Sequence, residues 1–389
     1  MRSRSSHHLK FVFAAVLILS FHYAFTVYIN STFLSQFFTE KEVGYLYTGG
    51  ALLTLLGFVA SSSLIKRVGN VSFFTTGIII EIIALFGLFY TSNPLHLKFF
   101  FILHQALPSL LLFSMDLFLE GASRTAHGNN TGRIRSTYLT ILNISFVLSP
   151  MIVGNIVSVF TYRGVYLLSA MCCVALLFLI VDSLRHIPSH TMREVNFADS
   201  VRKYIPHKDL NRLFIINFLL QIFYAVMVIY TPIYLSQHIG FSWEAIGLIF
   251  TVMLVPFVLF EAPLGRMFDK IHTEKDTLIA GFLIIALSTG LIFLIQKPSV
   301  IIWMIALFAT RVGASFVEVA SDYSFFRRVS DRDAGFISVF RMASPLSYII
   351  APLLVAPIVH LLSIKYVFLL LGIIMLSGII FSFKLRTLK

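Results

Sequence analysis

Apolar residues in this chain gather into long blocks, and the polar and charged residues fall mainly in the short connectors between them. A helix needs about 20 mainly apolar residues to cross the hydrocarbon core of a bilayer. Twelve blocks come close to or exceed that length: 11–33, 43–64, 72–90, 96–119, 137–160 and 165–184, then 213–235, 245–267, 277–295, 300–323, 334–359 and 365–383. The pattern predicts an all-α polytopic membrane protein with 12 transmembrane helices. The first block follows the basic stub of residues 1–10, as in a secretory signal. It is too long for an h-region and no small-residue cleavage site follows promptly, so it is expected to remain as a helix.

Composition agrees. Only 12% of the 389 residues are charged and 58% are hydrophobic, whereas soluble globular chains carry roughly 25% charged residues. A net charge of +12 raises the question of nucleic acid. The charges lie in connectors and no soluble domain is present to display a basic face, so no nucleic-acid partner is expected. Their placement instead reports orientation. With the N-terminus cytoplasmic, 23 Lys and Arg fall on the inner side and five on the outer, Lys41, Lys98, Arg163, Lys297 and Lys365. By the positive-inside rule both termini face the cytoplasm, in an inner or plasma membrane. The only cysteines, Cys172 and Cys173, are adjacent in an apolar block and suit neither a disulfide nor a metal site. No metal and no cofactor is expected.

The chain repeats itself. Leu34-Ser35-Gln36 returns as Leu235-Ser236-Gln237, and Gly44 as Gly247. Ser149-Pro150 matches Ala351-Pro352, and the acidic pair Asp116 and Glu120 matches Glu318 and Asp322. All offsets are 201 to 203 residues. Four features in one register indicate two pseudo-symmetric six-helix bundles, 1–184 and 213–389, joined by a partly helical cytoplasmic linker at 185–212.

After the eighth block the chain reads Gly265-Arg266-Met267-Phe268-Asp269-Lys270-Ile271. With twelve helices, a six-plus-six repeat and a long central loop, this resembles the Gly-x-x-x-Asp-Arg/Lys loop of the major facilitator superfamily of secondary transporters. The Gly permits close helix approach, and the Asp can cap a helix and pair with cations. The equivalent position after the second block reads Ser62 to Gly69, with Ser62 for the Gly and Lys66 for the Asp, so the first copy is degenerate. The resemblance implies a substrate cavity lined by the first, fourth, seventh and tenth helices, a site near the midplane and alternating access. Gly265, Asp269 and Lys270 would then belong to a gate.

Ionisable residues inside membrane helices are costly and point to function. Arg311, Ser315, Glu318 and Asp322 share one face of the tenth helix, and Gln105, Ser109, Asp116 and Glu120 one face of the fourth. Arg311 stands about 16 Å from the outer end of its helix at 1.5 Å per residue, where it suits either an anionic substrate group or a buried ion pair. Asp116, Glu318 and Glu261 are candidate proton carriers, and Glu261, just before Pro263, could instead be a gate contact. Glu120, Asp322 and Arg341 suit a cytoplasmic salt-bridge gate, to which Asp116 and Glu318 could equally belong; Arg341 and Glu318 should pair. His22 and Tyr23 on the first helix, Gln105 on the fourth, and Asn217, Gln221 and Tyr224 on the seventh offer substrate contacts. His22 suits hydrogen-bonded packing equally well, and Glu81 in the third block should be protonated or paired inside its bundle.

The chain shows no nucleophile elbow, P-loop or His-Glu-x-x-His, so no enzyme is expected. The resemblance implies a proton-coupled transporter, acting as a monomer on a small solute. Ser149-Pro150 with Gly154 faintly resembles an antiporter motif of drug exporters, and the Phe-rich composition suits an amphipathic solute. Export of such a compound is the first expectation. The alternative is a symporter importing a small organic anion or other metabolite, with Arg311 as its anchor. An intramembrane lipid-modifying enzyme or a non-transporting receptor are lesser alternatives.

Overall fold

A backbone in hydrocarbon must satisfy its own N–H and C=O groups, which a helix does within one segment. In a computed structural model, which describes residues 2–125, 131–182, 197–268, 274–329 and 334–386, the described chain is helical apart from short connectors, with no strand. The helices are α1 (Arg2–Val27), α2 (Asn30–Leu34), α3 (Glu40–Val68), α4 (Asn70–Tyr90), α5 (Pro94–Thr125), α6 (Thr131–Asp182) and α7 (Phe197–Tyr204). They continue as α8 (Lys208–Ile233), α9 (Trp243–Phe268), α10 (Glu274–Leu291), α11 (Val300–Phe326), α12 (Ala334–Arg341), α13 (Ala343–Leu361) and α14 (Lys365–Phe383). Among the described residues, eleven segments are long and apolar enough to span a bilayer. One of these, Thr140–Ile180, has 41 residues. At 1.5 Å per residue that is about twice the ~30 Å core. The helix breaks at Thr161, where φ is 60°, between the blocks 137–160 and 165–184. Arg163, just past the break, donates to the carbonyls of Phe89, Tyr90 and Thr91 at 3.2–3.3 Å and to Ser92 Oγ at 2.6 Å. It thereby satisfies the carbonyls at the end of α4.

The chain divides into two units. The first comprises Met1–Phe33 and Gly49–Glu194. In it α1 packs on α5 and α6, and α4 on the same pair. The second comprises Leu34–Thr48 and Val195–Lys389, so the start of α3 folds with it. Within this second unit α9 and α10 pack on α11, and α8 packs on α11, α13 and α14. Leu56, Val59, Phe178, Ile301 and Ile305 leave 65–74% of their surface uncovered, as positions facing lipid do.

Two boundaries differ from the hydropathy reading. The seventh span begins at Lys208, inside the expected linker 185–212, and of that linker residues 185–196 lie outside the described residues. The eleventh span is two helices, α12 and α13, broken at Met342. The linker's amphipathic α7 packs Tyr204 edge-on to Phe336 of α12, centroids 5.3 Å apart. The Tyr204 hydroxyl donates to the Leu210 carbonyl at 2.8 Å, and burial raises its pKa above the usual phenol value.

Candidate functional site

Helix approach sets the geometry in both units. In the second, α10 and α11 cross at Gly281 and Gly313, where a Cβ on Gly313 would come within 2.6 Å of the Gly281 carbonyl oxygen and 2.8 Å of the Ile285 nitrogen. This crossing holds the middle of α11 against α10, and Arg311 lies two residues before it. The guanidinium is 2% exposed and lies over the rings of Phe223 and Tyr224 on α8, at 4.9 and 5.5 Å from their centroids. Its Nε and Nη1 have no hydrogen-bond partner. Cation–π contacts of this kind are worth about 0.5–2 kcal/mol, but they use the face of the group and leave its in-plane donors unsatisfied.

One helical turn on from Ser315, Glu318 accepts a hydrogen bond from the Tyr224 hydroxyl at 2.6 Å. Asp322, Arg341 and Arg311 act on it electrostatically. The expected Arg341–Glu318 ion pair is not formed among the described residues: Arg341 ends α12 at the break before Met342, and its side chain is exposed. Tyr224 thus touches both charged groups, by its ring and by its hydroxyl. Asn217 donates to the Phe340 carbonyl at 3.2 Å, and Gln221 Nε2 is 3.5 Å from Asn217 Oδ1. Ser315 donates to Val312 O at 2.9 Å. Asn217 and Ser315 therefore donate to backbone, while Arg311, Tyr224 and Glu318 form a buried cluster of charged and phenolic groups.

The first unit carries a second cluster. Glu81 on α4, His22 on α1 and His104 on α5 are all buried. Glu81 Oε1 is 2.5 Å from His104 Nδ1 and 3.2 Å from His22 Nε2. The other ring nitrogens face Asn30 Nδ2 at 3.2 Å, for His104, and Ser169 Oγ at 2.5 Å, for His22. Glu81 Oε2 and His22 Nε2 have no hydrogen-bond partner. His22, expected as a substrate contact or a packing residue, sits inside this network. Its neighbour Tyr23 packs edge-on to Phe146, centroids 5.5 Å apart. Gln105 covers Gly50, where a Cβ would lie 2.5 Å from Gln105 Cγ. Asp116 and Glu120 lie on the exposed face of α5 and Asp322 is half-buried on α11. Gly265 falls near the end of α9; the Glu261 side chain, Asp269 and Lys270 lie outside the described residues.

Ser169, Asn30, Tyr166 and Phe223 were not singled out from sequence. Single polar residues in apolar blocks carry no pattern of their own. The available signal was that His22, Glu81 and His104 all interrupt apolar blocks well away from their ends.

The sequence model of the Major Facilitator Superfamily matches residues 213–389. A comparison with curated protein sequences finds no match. Among solved structures, the crystal structure of the nucleoside transporter NupG aligns with a TM-score of 0.78 at 11% identity, covering 97% of this chain and 100% of that one. A mutant of the same transporter aligns with a TM-score of 0.77 at 14% identity and the same coverage. At this identity the likeness shows the fold. With the family match over residues 213–389 and the shared fold over nearly the whole chain, the protein is an integral membrane protein with the fold of a solved transporter, and its second half matches the major facilitator superfamily.

Proposed function

We propose that the protein is a proton-coupled symporter of a small polar metabolite, whose anionic or carbonyl oxygen docks on Arg311. The observation that carries this reading is the buried guanidinium with Nε and Nη1 unpartnered. A buried donor without a partner costs about 1–3 kcal/mol, more for a charged group, and a ligand oxygen removes that cost. Phe223 and Tyr224 hold the guanidinium in place from α8, and its unpartnered N–H groups favour a solute rich in acceptor oxygens. This chemistry favours an anion or an acceptor-rich solute over the lipophilic compound expected first from the Phe content.

Tyr224 joins the solute site to a carboxylate. Its hydroxyl holds Glu318 while its ring supports Arg311, so a solute displacing either contact alters the other. The charge bias supports both ends facing the cytoplasm, and an inward proton gradient would then drive uptake. The likeness to a nucleoside transporter makes a nucleoside a sensible first probe, since a nucleobase offers both a stacking face and carbonyl acceptors.

The test is uptake into proteoliposomes of radiolabelled uridine and of small carboxylates such as lactate and succinate, with an imposed proton gradient and with an uncoupler. Uncoupler-sensitive accumulation of one of these, lost in Arg311→Ala, supports the reading. Extrusion of lipophilic dyes, with none of the polar probes transported, would overturn it in favour of export.

A further inference from the structure

The hydrogen-bond geometry around Glu81 fixes where the protons of the first unit's cluster must be. Ser169 Oγ is 3.0 Å from the His22 carbonyl oxygen and 2.5 Å from His22 Nδ1. A serine hydroxyl has one proton. Donated to the carbonyl, it leaves the oxygen to accept, so His22 Nδ1 carries the hydrogen. His22 Nε2 then faces Glu81 Oε1 at 3.2 Å. If neither atom held a proton, a ring lone pair would oppose a carboxylate in a site where both residues are fully buried. A proton placed here, either on the imidazole as an ion pair or on the acid as a neutral pair, removes that repulsion.

His104 is fixed differently. The Tyr166 hydroxyl donates to Asn30 Oδ1 at 2.8 Å, which turns Asn30 Nδ2 toward His104 Nε2 at 3.2 Å. Nε2 accepts and Nδ1–H donates to Glu81 Oε1 at 2.5 Å, so His104 is neutral. Ser169, Asn30 and Tyr166 are positioning residues that assign each imidazole its form. The groups acting on Glu81 are the two histidines from α1 and α5; on α6 the Cys173 thiol lies in the field of Glu81. Glu81 Oε2, without a hydrogen bond, gives the carboxyl a second oxygen with which to exchange its proton.

We propose that His22, Glu81 and His104 form the transporter's proton-binding site, holding one exchangeable proton inside the first unit, in place of the helix-face carboxylates Asp116 and Glu318. Loss of that proton leaves a buried carboxylate held by His104 alone and facing the lone pair of His22 Nε2. The loaded and empty forms therefore favour different arrangements of α1, α4 and α5, and a ligand shifts a conformational equilibrium by that difference in affinity. The role as coupling proton rests on the transport reading above; the proton occupancy does not.

The test uses the full-length protein in nanodiscs with 15N-labelled histidine and no added solute. The imidazole nitrogens are followed between about pH 5 and 9, where histidine titrates, and assigned with His22→Gln and His104→Gln. The expected result is a protonation step seen by both His22 and His104, which Glu81→Gln moves or abolishes. Imidazoles that hold one form across the range, or titrate unaffected by Glu81→Gln, would overturn the proposal. If Glu81→Gln does not fold, Ser169→Ala serves instead: release of Nδ1 should change the tautomer of His22 and shift the step at His104, and an unchanged His104 would count against the cluster. Because no solute is present, failure of the Arg311 reading leaves this test intact.

Discussion

The two units hold their buried ionisable groups in opposite states of completion. In the first, a carboxylate on α4 lies between histidines from α1 and α5, Ser169 and Asn30 meet the outer ring nitrogens, and Tyr166 holds Asn30. In the second, Arg311 rests on two aromatic rings and leaves Nε and Nη1 without acceptors. A nearly satisfied cluster has room to exchange only something as small as a proton. An unsatisfied cation with its in-plane donors open calls for a partner with oxygen atoms. The contrast divides labour between the units, proton in one and solute in the other.

The largest effect tests the completed cluster. Glu81→Ala removes the acceptor shared by two buried imidazoles, and breaking a buried pair on one side costs about 3–5 kcal/mol. A marked drop in thermal unfolding midpoint in detergent is expected, and a wild-type midpoint would show that the cluster does not support the first unit. Arg311→Ala should behave oppositely. The empty protein should keep or slightly gain stability, since an unpartnered buried cation is removed, while solute affinity falls about 10- to 100-fold, the worth of a charge-assisted hydrogen bond of ~1.5–3 kcal/mol. Arg311→Lys keeps the charge but loses the planar fork, and full affinity in it would exclude bidentate recognition.

Gly313→Ala sharpens the comparison from the packing side. The added methyl meets the backbone of α10, and overpacking of this kind costs about 1–3 kcal/mol. The expected outcome is a lower midpoint with weakened solute binding, because Arg311 moves with α11. The smallest effect belongs to the exposed pair His238–Glu40, 2.7 Å apart in the second unit. His238→Ala should change stability by about 1 kcal/mol or less, and a larger loss would show that residues 34–48 depend on this contact.

Much of the fold was legible because the bilayer forces it: twelve apolar blocks, with the break at Thr161 separating the fifth from the sixth. Residues of the two similar triplets also meet, Gln237 Nε2 donating to Ser35 Oγ at 2.5 Å. The helix-face stripe led to Arg311, Glu318 and Tyr224, since a period of 3.6 residues places them without knowledge of packing. It did not reveal that Asn217 and Ser315 are tied to backbone, which depends on the facing helix and on local rotamer. Nor did it join His22 to Glu81 and His104, because three single residues on three helices share no period. The division of the eleventh span into α12 and α13 at Met342 was hidden inside an unbroken apolar run, where hydropathy has no signal for it.

The most direct test of the division of labour compares solute exchange with gradient-driven accumulation in the same proteoliposomes, using the probe that the uptake screen returns. Exchange at equal pH needs a solute site but no net proton movement, whereas accumulation needs both. Glu81→Gln is predicted to retain exchange and lose accumulation, and Arg311→Ala to lose both. Proton-driven accumulation in Glu81→Gln at the wild-type level would contradict the account.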